Sequence, residues 1–114
     1  MKILLVDDDA GVRITLKIAL AKRGFDVSIA AAGFEAIELL GRDDFDWLIT
    51  DCQMKPMDGF QLAARARRLC PFIKIVMITG ICLEPCLNAD ILKVFTKPVD
   101  DGALAAYLRQ PQVA

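Results

Sequence analysis

The fold of this chain is decided by residues 2–9, which read KILLVDDD and join a short apolar run to three adjacent carboxylates. A branched apolar run of this length is too short for an ordinary helix and is typical of a buried strand. The carboxylates of Asp7, Asp8 and Asp9 repel one another, so solvent, a helix N-terminus or a cation must offset the cost. The segment therefore predicts a buried strand that ends at an acidic site.

Four more apolar runs share the character of the first one. They span residues 27–30, 47–50, 73–78 and 91–95. These runs are apolar rather than alternating, which is expected when helices cover both faces of a parallel sheet. The pattern therefore predicts five strands in one parallel sheet.

Helical patterns separate the apolar runs. They cover about residues 10–23, 33–40, 60–69 and 101–109. Asp9 is placed to cap the first helix and Gly24 to end it. Residues 80–90 contain Pro85 and leave room for a turn or two of helix at most. We therefore predict an α/β fold, a doubly wound five-stranded parallel sheet with helices on both faces, whose fourth helix is short or irregular.

The size and charge of the chain narrow the classes of function. Its 114 residues match one domain, expected over residues 1–110 with a short tail at 111–114. A formal net charge of −1 argues against a nucleic-acid-binding polycation, so Arg65, Arg67 and Arg68 are interpreted as a solvated helix face. No apolar run approaches the roughly 20 residues of a membrane span, and no secretory signal pattern precedes the first run. We expect a cytoplasmic protein with no direct nucleic-acid or membrane partner.

The cysteines offer no sulfur-based metal site. They are Cys52, Cys70, Cys82 and Cys86, none in Cys-x-x-Cys spacing, and the chain has no histidine. In a reducing cytosol free thiols are expected, with a Cys82–Cys86 bridge as the alternative.

Polar residues close the apolar runs at the points where ligands bind in open α/β sheets, outside the carboxyl ends of the strands. Asp7 and Asp8 close the first run, Asp51 the third, Thr79 the fourth and Lys97 the fifth. Each of these residues, taken alone, has an ordinary structural explanation. Together they are expected at one edge of the sheet, which favours a functional site. We therefore predict a site of three carboxylates, one hydroxyl and one ammonium.

This mixture of groups suits phosphoryl chemistry. Carboxylates of this kind are ligands for Mg²⁺, which offsets the repulsion between Asp7 and Asp8. A carboxylate also serves as a nucleophile toward phosphorus when the charge on the transferring group is neutralised, here by Mg²⁺ and Lys97. The hydroxyl of Thr79 is suited to donate a hydrogen bond to a phosphoryl oxygen.

Four motifs in order give the chain its resemblance to the receiver domain of two-component response regulators. They are Asp7-Asp8, then Asp51 with Met54, Met57, Asp58 and Gly59, then Thr79-Gly80, and then Lys97-Pro98. The resemblance covers essentially the whole chain. It implies a flavodoxin-like receiver domain over residues 1–110.

The resemblance also assigns a role to each site residue. Asp51 is implied as the acceptor of a phosphoryl group from a histidine kinase or a histidine phosphotransfer protein. Asp8, Asp51 and the backbone carbonyl of Gln53 are implied as Mg²⁺ ligands, with Asp7 acting through water. The resemblance implies that the hydroxyl of Thr79 acts as the conformational switch. It also implies that Lys97 pairs with a phosphoryl oxygen. The output is implied to be a downstream protein partner or a missing output domain.

Three features depart from the family pattern. The family usually has proline four residues after the acceptor, but here Lys55 stands there and Pro56 follows. Val94 occupies the position of the usual switching aromatic, with Phe95 one place later. The interval from Thr79 to Lys97 is several residues shorter than is usual in the family, which predicts an atypical signalling surface around residues 80–93. The Lys97-Pro98 bond is expected to be cis, as in the family.

Two alternatives to a phosphoryl-accepting receiver remain open at this point. One is a degenerate receiver that binds partners without phosphorylation, suggested by the lost aromatic and the short fourth helix. The other is a haloacid-dehalogenase-like phosphatase, since Asp7 and Asp9 fit the nucleophile pair of that superfamily, but this alternative leaves Asp51 unexplained. Catalysis on an outside substrate is not expected for the leading hypothesis, whose chemistry is self-directed.

Overall fold

The computed structural model describes residues 1–80 and 90–110, and strands and helices alternate within each of these two ranges. Within these ranges the elements are β1 (Lys2–Val6), α1 (Ala10–Lys22), β2 (Asp26–Ala30), α2 (Gly33–Arg42), β3 (Trp47–Asp51), α3 (Gly59–Leu69), β4 (Lys74–Thr79), β5 (Lys93–Thr96) and α4 (Asp101–Arg109). None of these helices has the length and apolar character that crossing a bilayer requires.

The five strands form one parallel sheet in the order β2-β1-β3-β4-β5. Alternate strand residues point to two separate cores, because successive side chains of a strand face opposite sides. One core joins Leu4 to Leu40 of α2 and Leu62 of α3. The other joins Leu5 to side chains of α1 and α4, such as Leu16 and Leu104. The predicted α/β architecture with helices on both faces is confirmed.

Side-chain caps mark where α1 and α3 begin. The Asp9 carboxylate accepts hydrogen bonds from the amides of Gly11 and Val12 at 2.8 and 3.2 Å, which confirms the predicted cap of α1. Asp58 and Gln61 form a capping box, each side chain accepting from the other residue's amide, so α3 begins at Gly59.

Some predicted boundaries were wrong by one or two residues. β4 begins at Lys74 rather than residue 73, and β5 at Lys93 rather than 91, because apolar residues that lead into a strand are buried before regular pairing begins. α2 continues to Arg42 rather than residue 40, since hydropathy carries no stop signal at exposed positions. Some predictions concern residues outside the described ranges. They are the short helix predicted between β4 and β5, the alternative Cys82–Cys86 bridge and the tail at residues 111–114.

Arg67 joins the end of α3 to the residues that precede β5. Its Nε lies 3.2 Å from Asp90 Oδ1, Nη2 donates to the Asp90 carbonyl oxygen at 3.4 Å, and Nη1 donates to the Pro71 carbonyl oxygen at 2.8 Å. These contacts are partly shielded from solvent, so they are worth more than those of a fully exposed ion pair.

We expect Arg67→Met to lower the free energy of unfolding by about 1–2 kcal/mol, because two carbonyl groups and a carboxylate lose their donor. Urea denaturation measures the change. The control is Arg42→Met, since Arg42 lies 4.0 Å from Glu38 in a well-exposed pair and its loss should cost no more than about 0.5 kcal/mol. Equal costs for the two variants would contradict the prediction.

Candidate functional site

Strand register brings the sequence-predicted polar residues to one edge of the sheet. Val6 pairs with Thr50, so Asp7 and Asp51 follow these partners on neighbouring strands. Thr79 pairs with Thr96, so Lys97 leaves β5 at the same edge. The convergence follows from parallel pairing alone, because the carboxyl ends of parallel strands share an edge.

Three carboxylates lie together at this edge. One oxygen from each of Asp7, Asp8 and Asp51 lies within 4.8 Å of the others. Asp7 is fully buried, Asp51 is 5% exposed and Asp8 is exposed to solvent. Two buried negative charges at this spacing are unfavourable without a cation.

Lys97 supplies positive charge to the two buried carboxylates. Its Nζ lies 3.0 Å from Asp7 Oδ2 and 3.3 Å from Asp51 Oδ2. Burial lowers the pKa of Lys97, but Asp7 and Asp51 raise it by more, so the pKa lies above its ordinary value. The ammonium therefore stays charged at neutral pH.

Asp7 is the most constrained acid of the group. Burial raises its pKa above the ordinary value, opposed by the hydrogen bond from the Asp9 amide and by Lys97, while Asp51 raises it further. Its Oδ1 accepts from that amide at 2.9 Å. In the described part of the chain no well-directed hydrogen bond reaches Oδ2, although it is buried beside Lys97. The Lys97 ammonium, 3.0 Å away, balances the charge on this oxygen.

The donor set fits Mg²⁺. Every candidate ligand atom is an oxygen, and a hard divalent cation prefers carboxylate and carbonyl oxygens with water. A cavity of about 560 Å³ adjoins the cluster, with Asp8, Gln53 and Lys55 among the residues that line it. The cavity leaves room for water and a phosphoryl group beside the carboxylates.

The acceptor candidate, Asp51, is held by the loop that follows it. Its Oδ1 accepts a long hydrogen bond of 3.4 Å from the Gln53 amide. Gly59 donates its amide to the Cys52 carbonyl oxygen at 2.9 Å, and a Cβ at Gly59 would overlap the Asp51 carbonyl oxygen. Glycine at position 59 therefore allows α3 to begin directly beside Asp51.

Arg13 is a contributor that the sequence analysis missed. Its Nη1 donates to the Asp7 carbonyl oxygen at 2.7 Å, which fixes the turn carrying the acid pair. The sequence feature that could have indicated this role is an arginine in the first turns of a helix that begins beside an acidic site. That signal is weak, since arginine on a solvent-facing helix position needs no such role.

Thr79 and the residues of β5 lie on defined faces of the sheet. Thr79 is 1% exposed at the end of β4. Val94 packs into the core beneath α2 and α3, whereas Phe95 packs into the opposite core, edge-on to Tyr107 with ring centroids 5.9 Å apart. Because Thr79 pairs with Thr96, it shares the face of Val94. Phe95 therefore does not take the place of an aromatic beside Thr79.

Among the residues that the structure describes, two peptide bonds near the site are cis. They are Lys97-Pro98, as the sequence resemblance implied, and Lys55-Pro56, which was not predicted.

Comparison with protein families gives a match over residues 3–109 to the response regulator receiver domain. The chain belongs to this family. Among curated relatives, the receiver domain is 41% identical over 101 residues to the response regulator receiver protein CpdR of Brucella abortus (strain 2308), covering 85% of this chain and 84% of CpdR. Membership decides against the phosphatase alternative.

Other relatives extend beyond the region they share with this receiver domain. It is 34% identical over 106 residues to the transcriptional regulatory protein GlrR of Escherichia coli (strain K12), a match that covers 90% of this chain but 24% of GlrR. The chain therefore spans about a quarter of the length of that relative.

A solved structure supports the flavodoxin-like fold. The CheY-like response regulator receiver domain protein from Methanospirillum hungatei JF-1 superposes with a TM-score of 0.89 at 29% identity, over 95% of this chain and 90% of that chain. The receiver fold is thus found by sequence and by structure.

Proposed function

We propose that this receiver domain accepts a phosphoryl group on Asp51 from the phosphohistidine of a histidine kinase or a histidine phosphotransfer protein. The observation that carries the proposal is the cluster itself, in which Asp51 lies with Asp7 and Asp8 and contacts Lys97. Two buried carboxylates with a third, exposed one beside a single ammonium are costly to maintain as packing alone. It is suited to a step that brings a cation and an anionic phosphoryl group into the site.

Each residue has a part in the proposed transfer. An oxygen of Asp51 attacks phosphorus, the bond between phosphorus and the histidine nitrogen breaks, and the electron pair of that bond returns to the imidazole. Lys97 lies beside Asp51 and balances negative charge on a phosphoryl oxygen. Asp7, Asp8, Asp51 and the Gln53 carbonyl would hold Mg²⁺, directly or through water, and the bound ion would neutralise charge on the phosphoryl group.

The signal would be read through Thr79 and the surface beyond β4. Thr79 lies at the end of β4, at the same edge of the sheet as Asp51. Its hydroxyl is therefore suited to donate a hydrogen bond to a phosphoryl oxygen on Asp51. The reaction is self-directed, and we expect no turnover of an outside substrate. A downstream partner or an output domain would receive the signal; GlrR is a transcriptional regulatory protein much longer than the shared region. Action in the cytoplasm stays a prediction.

Phosphorylation by a small donor tests the proposal. The protein is incubated with acetyl phosphate, with and without Mg²⁺, and weighed by intact mass spectrometry. We expect one added phosphoryl group when Mg²⁺ is present and none on Asp51→Asn. The matched control is Asp44→Asn, which removes an exposed carboxylate and should leave the addition unchanged.

Two outcomes would contradict the proposal. One is addition to Asp51→Asn at the wild-type level, which would move the acceptor elsewhere. The other is no addition to the wild-type protein although it binds Mg²⁺. That second result would favour a degenerate receiver that acts by protein interaction alone, a function suggested by the separation of Thr79 and Phe95 on opposite faces.

A further inference from the structure

We propose that a groove between α2 and α3 is a docking site for an acidic segment of a partner protein. The groove has a volume of about 320 Å³. Phe34 projects from α2, Gln61, Arg65 and Arg68 project from α3, and Pro56 and Met57 lie on the loop between β3 and α3. The proposal does not rest on phosphoryl transfer to Asp51.

An exposed aromatic ring and an arginine form the centre of the groove. Phe34 is 53% exposed, although exposure of so large an apolar side chain is unfavourable. The guanidinium carbon of Arg65 lies 5.9 Å from the centroid of the Phe34 ring, within the range of a cation–π contact. Aromatic residues and arginine are enriched at the energetic centres of protein interfaces. The pair therefore has the composition of a binding anchor.

The groove carries positive charge without a counter-ion. No carboxylate is among its lining residues. Within residues 1–80 and 90–110, Arg65 and Arg68 have no carboxylate within ion-pair distance, whereas their neighbour Arg67 is paired with Asp90. Two guanidinium groups beside an apolar ring are complementary to a segment that combines acidic and apolar residues.

The surroundings of the groove favour a short acidic segment over a long polyanion. Glu35 and Glu38 are exposed on α2, and the whole chain carries a net charge of −1. A nucleic acid that extended past the two arginines would meet these like charges. A peptide that places only one or two carboxylates on Arg65 and Arg68 brings fewer negative charges near them than a polyanion does.

The walls of the groove are held in place before any partner binds. A Cβ at Gly33 would lie 2.7 Å from Met57 Sδ, so the glycine lets α2 pack directly onto the loop after β3. The capping box of Asp58 and Gln61 fixes the first turn of α3. A preformed groove lowers the ordering cost of binding.

An NMR titration tests the proposal on the whole protein. The probe is a peptide of two Glu-Glu-Leu repeats, and its neutral counterpart has two Gln-Gln-Leu repeats. We expect amide shifts centred on Phe34, Gln61, Arg65 and Arg68 with the acidic probe only. The double variant Arg65→Glu/Arg68→Glu should bind the acidic probe about tenfold more weakly.

Matched variants separate this groove from general charge attraction. Lys17→Glu/Lys22→Glu makes the same change in net charge on exposed positions of α1 and should leave binding within about twofold of wild type. Phe34→Ser should weaken binding while keeping the charge, and its folded spectrum serves as the check on structure.

Three results of the peptide experiments would overturn the proposal. They are equal weakening by the two charge-reversed double variants, equal binding of the neutral peptide, and absence of shifts at the groove at millimolar probe. Tighter binding of a single-stranded DNA oligonucleotide through Arg65 and Arg68 would also overturn it, in favour of nucleic acid.

Discussion

Gly59→Ala is expected to lower the free energy of unfolding by about 3 kcal/mol or more, because the new methyl group has no space. The added Cβ would overlap the Asp51 carbonyl oxygen and lie 3.0 Å from the Cys52 Cα. Both neighbours are backbone atoms at the end of β3, so relief requires movement of α3 or of the strand that carries Asp51. For a domain whose total stability is about 5–15 kcal/mol this is a large fraction.

Chemical denaturation followed by circular dichroism measures the effect, and Gly41→Ala is the matched control. Gly41 lies inside α2, and an added Cβ there meets no atom within 4 Å. Alanine at this position should stabilise the protein by about 0.5–1 kcal/mol, because glycine loses more conformational freedom in a helix. If Gly59→Ala were as stable as wild type, the packing of α3 against Asp51 described above would be wrong.

Lys97→Met is expected to have opposite effects on two properties of the site. Phosphorylation by acetyl phosphate should slow by about 100-fold, because the ammonium beside Asp51 no longer balances negative charge on the phosphoryl group. Mg²⁺ binding should become tighter, because the carboxylates of Asp7 and Asp51 lose their neighbouring positive charge and attract a cation more strongly. Intact mass spectrometry over time gives the rate, and isothermal titration calorimetry gives the affinity.

The control for this variant is Lys93→Met, which removes an exposed lysine from β5, the strand that Lys97 follows, and should change neither property. The wild-type rate should also persist at mildly alkaline pH, because Asp7 and Asp51 outweigh burial and raise the pKa of Lys97. Weaker Mg²⁺ binding in Lys97→Met would contradict the electrostatic account. An unchanged rate would remove Lys97 from the proposed transfer.

Much of the fold and of the candidate site was predictable because it depends on local pattern. Apolar runs too short for helices mark strands, and residues that close such runs share an edge once the strands are parallel. Asp7, Asp51 and Thr79 were therefore found from position alone. Asp9 was predictable as a cap, since its bonds reach only two and three residues along the chain.

Other features depend on distances between elements that are remote in sequence. No periodicity indicates that Arg13 reaches the Asp7 carbonyl, or that Phe34 of α2 lies over Arg65 of α3. The exposed face of α3 reads as ordinary solvated helix until α2 is packed beside it. The groove was missed for this reason.

The sequence by itself determined the order of strands and helices, the cap at Asp9 and the residues that meet at the carboxyl edge of the sheet, because short-range periodicity and parallel pairing control all three. The tertiary structure alone decided that Lys97 contacts both Asp7 and Asp51, that α3 begins against Asp51, and that Phe95 lies on the face opposite Thr79. These contacts depend on register and on how closely the layers pack, and a difference of one residue or a few tenths of an ångström changes them.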